Sequence, residues 1–390
     1  MRILHVSDAY LPKRGGIEVQ VRDLAGRQAE SGHEVHVLTC APPAGAPGHA
    51  SWTMPVHPTV DTELSGGLSG QLSGGVTVHR MAVPWPHIPQ SNESRHQLLR
   101  ELEPDAVHVH LSVLSPLSIL AVRAAARQRV PVVATLHSLW WWATSLYAIA
   151  NRINGWGRWP VYWTAVSELA ADPLRGIMRR HGEVAVLPNG VEPSAWVVDP
   201  IDRDPDEVVV ASVMRLALRK RPRALLNAVK AAREQLPQHI RLRVVLVGEG
   251  PQQRAVERRI RQYGLQDTVQ LVGRLEHDGI RELYRRADIY FAPATLESFG
   301  IAALEARCAG LPVIARRQTG IADFIHQNVH GLLASSDAGL AAALADLAAS
   351  PSTRARMAAQ NRAAAPETGW ADVLQRCELC YKQADELTHS

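Results

Sequence analysis

The stretch from Ala287 to Ala315 constrains the fold more than any other. Ala287–Ala292 (ADIYFA) is a short, mostly apolar run of strand character, and Leu311–Ala315 (LPVIA) is another. Between them lie a polar loop containing Thr295, Glu297 and Ser298 and a helix expected over Phe299–Ala309, closed by Gly310 as a left-handed cap. Two buried strands joined through a helix make a parallel crossover. Ligands bind such units where a strand's carboxyl end meets a helix's amino end. The free N–H groups there favour a phosphate, and Gly300 lets one come close. Glu297 and Glu305 bracket this anion seat. Their spacing corresponds to roughly 12 Å along a helix axis, too far for a glycosidase carboxyl pair at about 5–9.5 Å. It suits the two ends of a long ligand whose middle carries phosphates. Taken alone, a surface acid and a cap explain it better.

The first half of the chain alternates strand and helix. Arg2–Ser7, Glu34–Thr39, Val76–Met81, Ala106–His110 and Val132–Leu136 read as strands, with helices over 17–30 and 117–127. Such alternation implies a parallel sheet covered on both faces. Asp61–Gly75 (DTELSGGLSGQLSGG) reads as a flexible surface loop. Pro188-Asn-Gly-Val191 is a turn, and the acidic, proline-containing 199–207 reads as a linker, which puts a domain boundary near residue 195. A second alternating series follows. Its strands are expected over 208–212, 242–247 and 269–272, with helices over 252–263, 279–287 and 319–327 and a last helix over 370–384.

Composition narrows the class. A length of 390 with 46% hydrophobic residues supports two cores. A net charge of +4 is too small to argue for a nucleic-acid partner. The four cysteines form no disulfide framework, and Cys377 and Cys380 read as buried packing in an amphipathic helix, in keeping with a reducing cytoplasm. Met1–Ser7 is a strand followed by Asp8 rather than a secretory signal. Val130–Ala150 lacks Asp, Glu, Lys and Arg, but a strand followed by an apolar helix fits it better than a membrane span.

Several polar residues fall at strand ends. His137 follows the strand Val132–Leu136, and His110 ends another as a lesser candidate. Gly15-Gly16, beside Lys13 and Arg14, lacks the dinucleotide fingerprint and is by itself an ordinary turn. Arg215, Arg219, Lys220, Arg221 and Arg223 begin at a strand's carboxyl end just before a helix with Pro222 in its first turn, another anion-binding location. Gly248, Gly250, Gly273 and Arg274 occupy equivalent strand ends. Trp140, Trp141, Trp142, Trp156, Trp159 and Trp163 cluster within a short span. Three successive indoles cannot share one helix face, so packing against a neighbouring helix and an apolar acceptor or bilayer-edge contact both stand.

Thr295-x-Glu297-Ser-Phe-Gly-Ile-x3-Glu305-Ala, followed by Gly310-Leu-Pro-Val-Ile-Ala, resembles the signature of glycosyltransferase family 4, the retaining GT-B enzymes. Thr295 stands where many members have Ser. The resemblance implies two Rossmann-like domains facing a cleft: 1–195 for the acceptor, 196–365 for the nucleotide sugar, and 366–390 as a helix crossing back to the first. It implies that Glu297 contacts the donor sugar and Glu305 the ribose. Backbone from Ser298 through Phe299, Gly300 and Ile301 would hold the diphosphate, with Arg215 and Lys220 clamping it. Gly15 and Gly16 would lie near donor phosphate and acceptor, and His137 near the donor sugar. Gly248, Gly250, Gly273, Arg274 and Leu275 would line the nucleotide pocket. The implied reaction moves a hexose or N-acetylhexosamine from a UDP-sugar or GDP-mannose to a hydroxyl acceptor, with no cofactor. The resemblance also implies that Arg and Lys take the place of a metal. An amphipathic acceptor or peripheral membrane contact through Trp140–Trp142 is the further expectation. A nucleotide-sugar epimerase and a non-catalytic nucleotide-sugar binder are the competing readings.

Overall fold

The computed structural model describes residues 1–12, 15–43, 59–64, 75–81, 88–113, 115–139, 144–178, 182–202 and 204–390. The chain forms two units, Met1–Gly190 together with Trp370–Ser390, and Val191–Gly369.

The first unit is built on strands β1 (Arg2–Ser7), β2 (Glu34–Thr39), β3 (Thr59–Leu64), β4 (Gly75–Arg80), β5 (Ala106–Leu111), β6 (Val132–Leu136), β7 (Val161–Ala165) and β8 (Val184–Val186). Their spatial order is β3-β4-β2-β1-β5-β6-β7-β8. All neighbours are parallel except β3, which runs antiparallel to β4. The central strands are buried on both faces, which explains why β1 and β5 read as unbroken rather than alternating runs. The helix Trp370–His389 buries Trp370, Val373, Cys377, Cys380, Tyr381 and Ala384 in a core shared with Ile3, Val133 and Leu187. Their recurrence every three or four residues is a single helical face. Burial raises both of its thiols, that of Cys380 to about 12, so these cysteines are packing groups.

The second unit holds β9 (Glu207–Val213), β10 (Arg241–Val247), β11 (Val269–Gly273), β12 (Ile289–Ala292), β13 (Val313–Arg316) and β14 (Gly331–Ala334), in the order β11-β10-β9-β12-β13-β14. Every pair is parallel. Helix Pro222–Gln235 lays Leu225, Ala228, Val229 and Ala232 into the core formed with Val208, Val210 and Leu246.

Several sequence expectations need correction. Asp61–Leu64 belongs to β3 rather than to a loop; its backbone pairs with Gly75–Val78, and 65–74 lie outside the described residues. The expected helix over 319–327 is a single 3-10 turn, Gly320–Asp323. Gly320 N–H donates to Glu297 O and Asn328 adopts a left-handed φ, which turns the chain into β14. The helix after β12 runs Ile301–Cys308, because Gly300 at φ 97° cannot belong to it. The first unit gives up the chain at Gly190 and regains it at Trp370, whereas the sequence suggested about 195 and 366. Gln20 clasps Gly190 through both its backbone N–H (2.9 Å) and its carbonyl (3.0 Å), and a Cβ on Gly190 would strike the Trp370 ring.

Candidate functional site

In each sheet the strand order reverses at one place, and a parallel sheet binds ligands at the carboxyl ends of the strands flanking such a switch. In the second unit the switch lies between β9 and β12. Lys220, in the turn after β9, forms an ion pair with Glu297, in the loop after β12. Both side chains are partly buried, with 24% and 16% exposed. Arg215, at the mouth of the same strand, is exposed. Arg221 does something else. It forks onto Asp337 at 2.8 and 2.6 Å and reaches the Pro293 carbonyl at 3.3 Å, tying the turn after β9 to the loop after β12. Arg219 and Arg223 are exposed.

The amino end of Ile301–Cys308 opens at this switch. Gly300 caps it in the left-handed region, and no side chain caps it. Its carbonyl accepts from Ala303 and Leu304, which leaves the earlier N–H groups without helical partners. Phe299 is buried against Phe324, and Ser298 and Ile301 are half-buried. Gly320 packs so tightly on this loop that a Cβ there would collide with Ser298 O. Glu305 is half-buried beneath Tyr284 and Tyr290, whose hydroxyls burial, first, and the Glu305 charge push upward.

The loops after β9, β10 and β11 are laced together. Met214 N–H bonds Val247 O, Leu216 N–H bonds Glu249 O, and Gly248 N–H bonds Gly273 O at 2.6 Å. Gly248 sits at φ 126°, and a Cβ there would collide with Met214 O, so only glycine permits this approach. Gly250 crowds Leu216 O in the same way. Arg274 is exposed and paired with Glu276 at 3.5 Å, while Leu275 lies over Gly279.

In the first unit the switch lies between β1 and β5. Here the protein fills an anion seat with an acid of its own. Asp8 accepts from Leu117 N–H (2.9 Å), Ser118 N–H (3.0 Å) and the Ser118 hydroxyl (2.6 Å) at the amino end of helix Pro116–Arg127. Burial raises its carboxyl, against the lowering effect of these bonds. At the helix Gly16–Glu30 the Glu18 carboxylate folds back over Gly15. Gly15 and Gly16 are exposed, and Lys13 and Arg14 lie outside the described residues.

His137 is buried and heads a chain of histidines. His137 Nε2 lies 3.0 Å from His110 Nδ1, His110 Nε2 lies 3.0 Å from His5 Nδ1, and His5 Nε2 lies 2.6 Å from Gln28 Oε1. Gln28 Nε2 donates to the Tyr381 hydroxyl at 2.9 Å, and Tyr381 meets His108 Nδ1 at 3.0 Å. His108 Nε2 lies 2.8 Å from the Thr135 hydroxyl. Burial lowers all four imidazoles, His5 and His137 to about 4, so they are neutral at pH 7. A neutral ring donates from one nitrogen only. With the Gln28 carbonyl accepting, His5 carries its proton on Nε2, and the same assignment propagates to His110 and His137. Tyr381 donates to His108, which gives His108 the same tautomer. His5, His108 and His110 also form the one metal-sized group among the described residues. Each of their ring nitrogens is already hydrogen-bonded, so the donor set does not fit an ion without dismantling the chain. A small pocket lined by Gln20, His110, His137, Asn189 and Trp370 adjoins it.

Asp8, Gln20, Gln28, Tyr381 and Asp337 escape the sequence reading because their partners lie far away in the chain. His5 and the His108-x-His110 pair do carry a signal, since residues two apart on a strand share a face. Trp140–Trp142 lie outside the described residues.

Residues 14–195 match the Glycosyltransferase Family 4 model and residues 199–364 the Glycosyl transferases group 1 model. The chain is 28% identical over 324 residues to the phosphatidylinositol N-acetylglucosaminyltransferase gpi3 subunit of Schizosaccharomyces pombe, covering 82% of this chain and 67% of that protein. It spans 64% of the length of the human phosphatidylinositol N-acetylglucosaminyltransferase protein that it also matches. It is 28% identical over 414 residues to D-inositol 3-phosphate glycosyltransferase of Xylanimonas cellulosilytica, covering 95% and 92% of the two chains. The fold matches that of Anabaena HepE, solved in complex with UDP, with a TM-score of 0.73 at 18% identity, covering 97% of this chain and 99% of that one. Two parallel Rossmann-like sheets and two family models that between them span nearly the whole chain identify it as a member of glycosyltransferase family 4, a glycosyltransferase of GT-B type.

Proposed function

We propose that the second unit binds a nucleotide-diphosphate sugar, a UDP-sugar or GDP-mannose, and that its hexose or N-acetylhexosamine passes to a hydroxyl acceptor with retention and without a divalent metal. The observation that carries this reading is the contrast between the two switch points. In the first unit Asp8 caps the amino end of the helix Pro116–Arg127 at the switch, whereas Gly300 leaves that of Ile301–Cys308 uncapped beside Lys220 and Arg215. A diphosphate seated there meets free N–H groups and two cations. Both stabilise the negative charge that develops as the glycosidic bond breaks. Glu297, already paired with Lys220, orients that cation and lies on the sugar side, while Glu305 serves the ribose. The laced loops holding Gly248, Gly250, Gly273, Arg274 and Leu275 form a preorganised floor for the nucleotide. Family membership supports retention, and with no placed nucleophile among the described residues, same-face attack assisted by the leaving phosphate is the route. The relatives named for phosphatidylinositol and inositol phosphate support a polyol hydroxyl as acceptor, in lipid-linked or soluble form.

A thermal-shift panel of UDP, GDP, ADP and their sugars tests the donor. One nucleotide family should raise Tm, by about 2.7 kcal/mol of stabilisation at a hundredfold excess over Kd. No shift with any of them would overturn the assignment. Product NMR tests retention, and loss of activity in EDTA with recovery on Mg²⁺ would overturn metal independence.

A further inference from the structure

The helix Thr144–Asn154 is inside out. Its only buried residue is the polar Asn151, whose side chain accepts from Gly157 N–H at 2.7 Å. Its large apolar residues face solvent, with Leu146 66%, Ile149 57% and Ile153 77% exposed. These three recur at i, i+3 and i+7, one stripe along the outer face. The helix is nonetheless anchored, because Tyr147 donates to the Val113 carbonyl at 2.7 Å. A stripe of this kind on a docked helix marks a surface meant to be covered.

Charge indicates what covers it. No Asp or Glu occurs from residue 106 to residue 167, while Arg123, Arg127, Arg129, Arg152 and Arg158 do, all exposed. Strands β5, β6 and β7 are consecutive neighbours, and right-handed crossovers put helices 116–127 and 144–154 on the same face of the sheet. Both helices run toward the strands' amino edge, where Arg127, Arg129, Arg152 and Arg158 gather. Ile119, 48% exposed, adds to the outward apolar surface. The nearest following acids, Glu168 and Asp172, are already bonded to Arg175 at 2.5 and 3.4 Å. A second copy of the chain would bring arginine against arginine in a two-fold contact.

We infer that this face, led by Leu146, Ile149 and Ile153 and edged by Arg152 and Arg158, docks on an anionic lipid surface. The apolar stripe enters the acyl boundary and the guanidinium groups meet lipid phosphate. Among the described residues no helix is long and apolar enough to cross a membrane, so the contact is interfacial. This reading is independent of donor identity and of Trp140–Trp142.

Co-sedimentation of the full chain with phosphatidylcholine vesicles, with and without phosphatidylglycerol, tests it. Binding is expected to the anionic vesicles and to weaken with salt. The variants Leu146→Ser/Ile149→Ser/Ile153→Ser and Arg152→Glu/Arg158→Glu should each weaken it by roughly tenfold or more. The arginines are exposed, so the second variant keeps the test intact if the first fails to fold. Failure of the wild type to bind anionic vesicles at low ionic strength overturns the inference, as does undiminished binding by the folded variants. A dimer in sedimentation velocity that disappears in the apolar variant would assign the face to a second copy and overturn it equally. The thermal shift with nucleotide, measured without lipid, reports on the donor site separately.

Discussion

Lys220 and Arg215 have different surroundings, and their substitutions should differ accordingly. Lys220→Ala removes the partner of a partly buried carboxylate, while Arg215→Ala removes an exposed cation. Each is expected to lower kcat by roughly 100-fold, the scale of losing one transition-state donor. Only Lys220→Ala should also cost stability, because Glu297 then stays in a partly buried place with its counter-charge gone. Steady-state rates and Tm measured on both variants separate the two effects. Arg221→Ala should act on folding first, since its guanidinium joins the turn after β9 to the first turn of the helix Asp337–Ala349 and to the loop after β12. The residues proposed for the donor site could be picked out from the sequence as candidates because they cluster within short motifs at strand ends. Asp8 could not, because an acid filling a helix amino end looks like any other acid until the helix is placed. The hydrogen bonds of His110 were hidden for the same reason: its partners are His5 on β1 and His137 just after β6.

The helix Trp370–His389 shows what one element contributes. Its Tyr381 hydroxyl accepts from Gln28 and meets His108, so the final helix sets the direction of hydrogen bonding through the histidine chain. Tyr381→Phe strands both partners in a buried setting, at a cost of about 1–3 kcal/mol for an unsatisfied group. Nitrogen-15 NMR of the wild type should show His5, His108, His110 and His137 with the proton on Nε2. In Tyr381→Phe the His108 signal should change tautomer or exchange, an outcome that a loss of packing alone does not produce. At this scale the alternation of strand and helix was readable, and β1, β2, β5, β6 and the second sheet follow the apolar runs. Where the chain was misread, local composition pointed away from tertiary pairing. Asp61–Leu64, which carry no Gly or Ser but adjoin the Gly/Ser repeats, belong to the antiparallel edge strand β3, and 319–327 was held in a turn by the backbone bond from Gly320 to Glu297.

Across the whole molecule, the neutral buried histidines make stability depend on pH. His5 and His137 titrate near 4 in the fold and near 6.5 when unfolded, and His108 and His110 are lowered too. The unfolded chain therefore binds protons first. Their contribution is complete above about pH 6.5 and is lost as the pH falls toward 4, at about 1.4 kcal/mol per pH unit for each histidine. Asp8 and Asp23, both raised by burial, work in the opposite sense, while His79 and His330, both lowered by burial to about 4, add to the histidine side. Urea midpoints taken at pH 7, 6 and 5 should fall in that order. The two-unit plan was visible in the sequence as two alternating series separated by a turn and a linker. The exact hand-over was not, because it depends on the clasp of Gln20 on Gly190, partners remote in sequence. That hand-over also governs biosynthesis. The first unit to emerge from the ribosome cannot complete its core, since Trp370, Cys377 and Tyr381 are translated only after all of Val191–Gly369. At about 5–20 residues per second, the nascent sheet waits roughly ten to forty seconds with the seat of its final helix open. The stretch made first is therefore the last to be sealed, and that interval is when a chaperone would find its apolar groove.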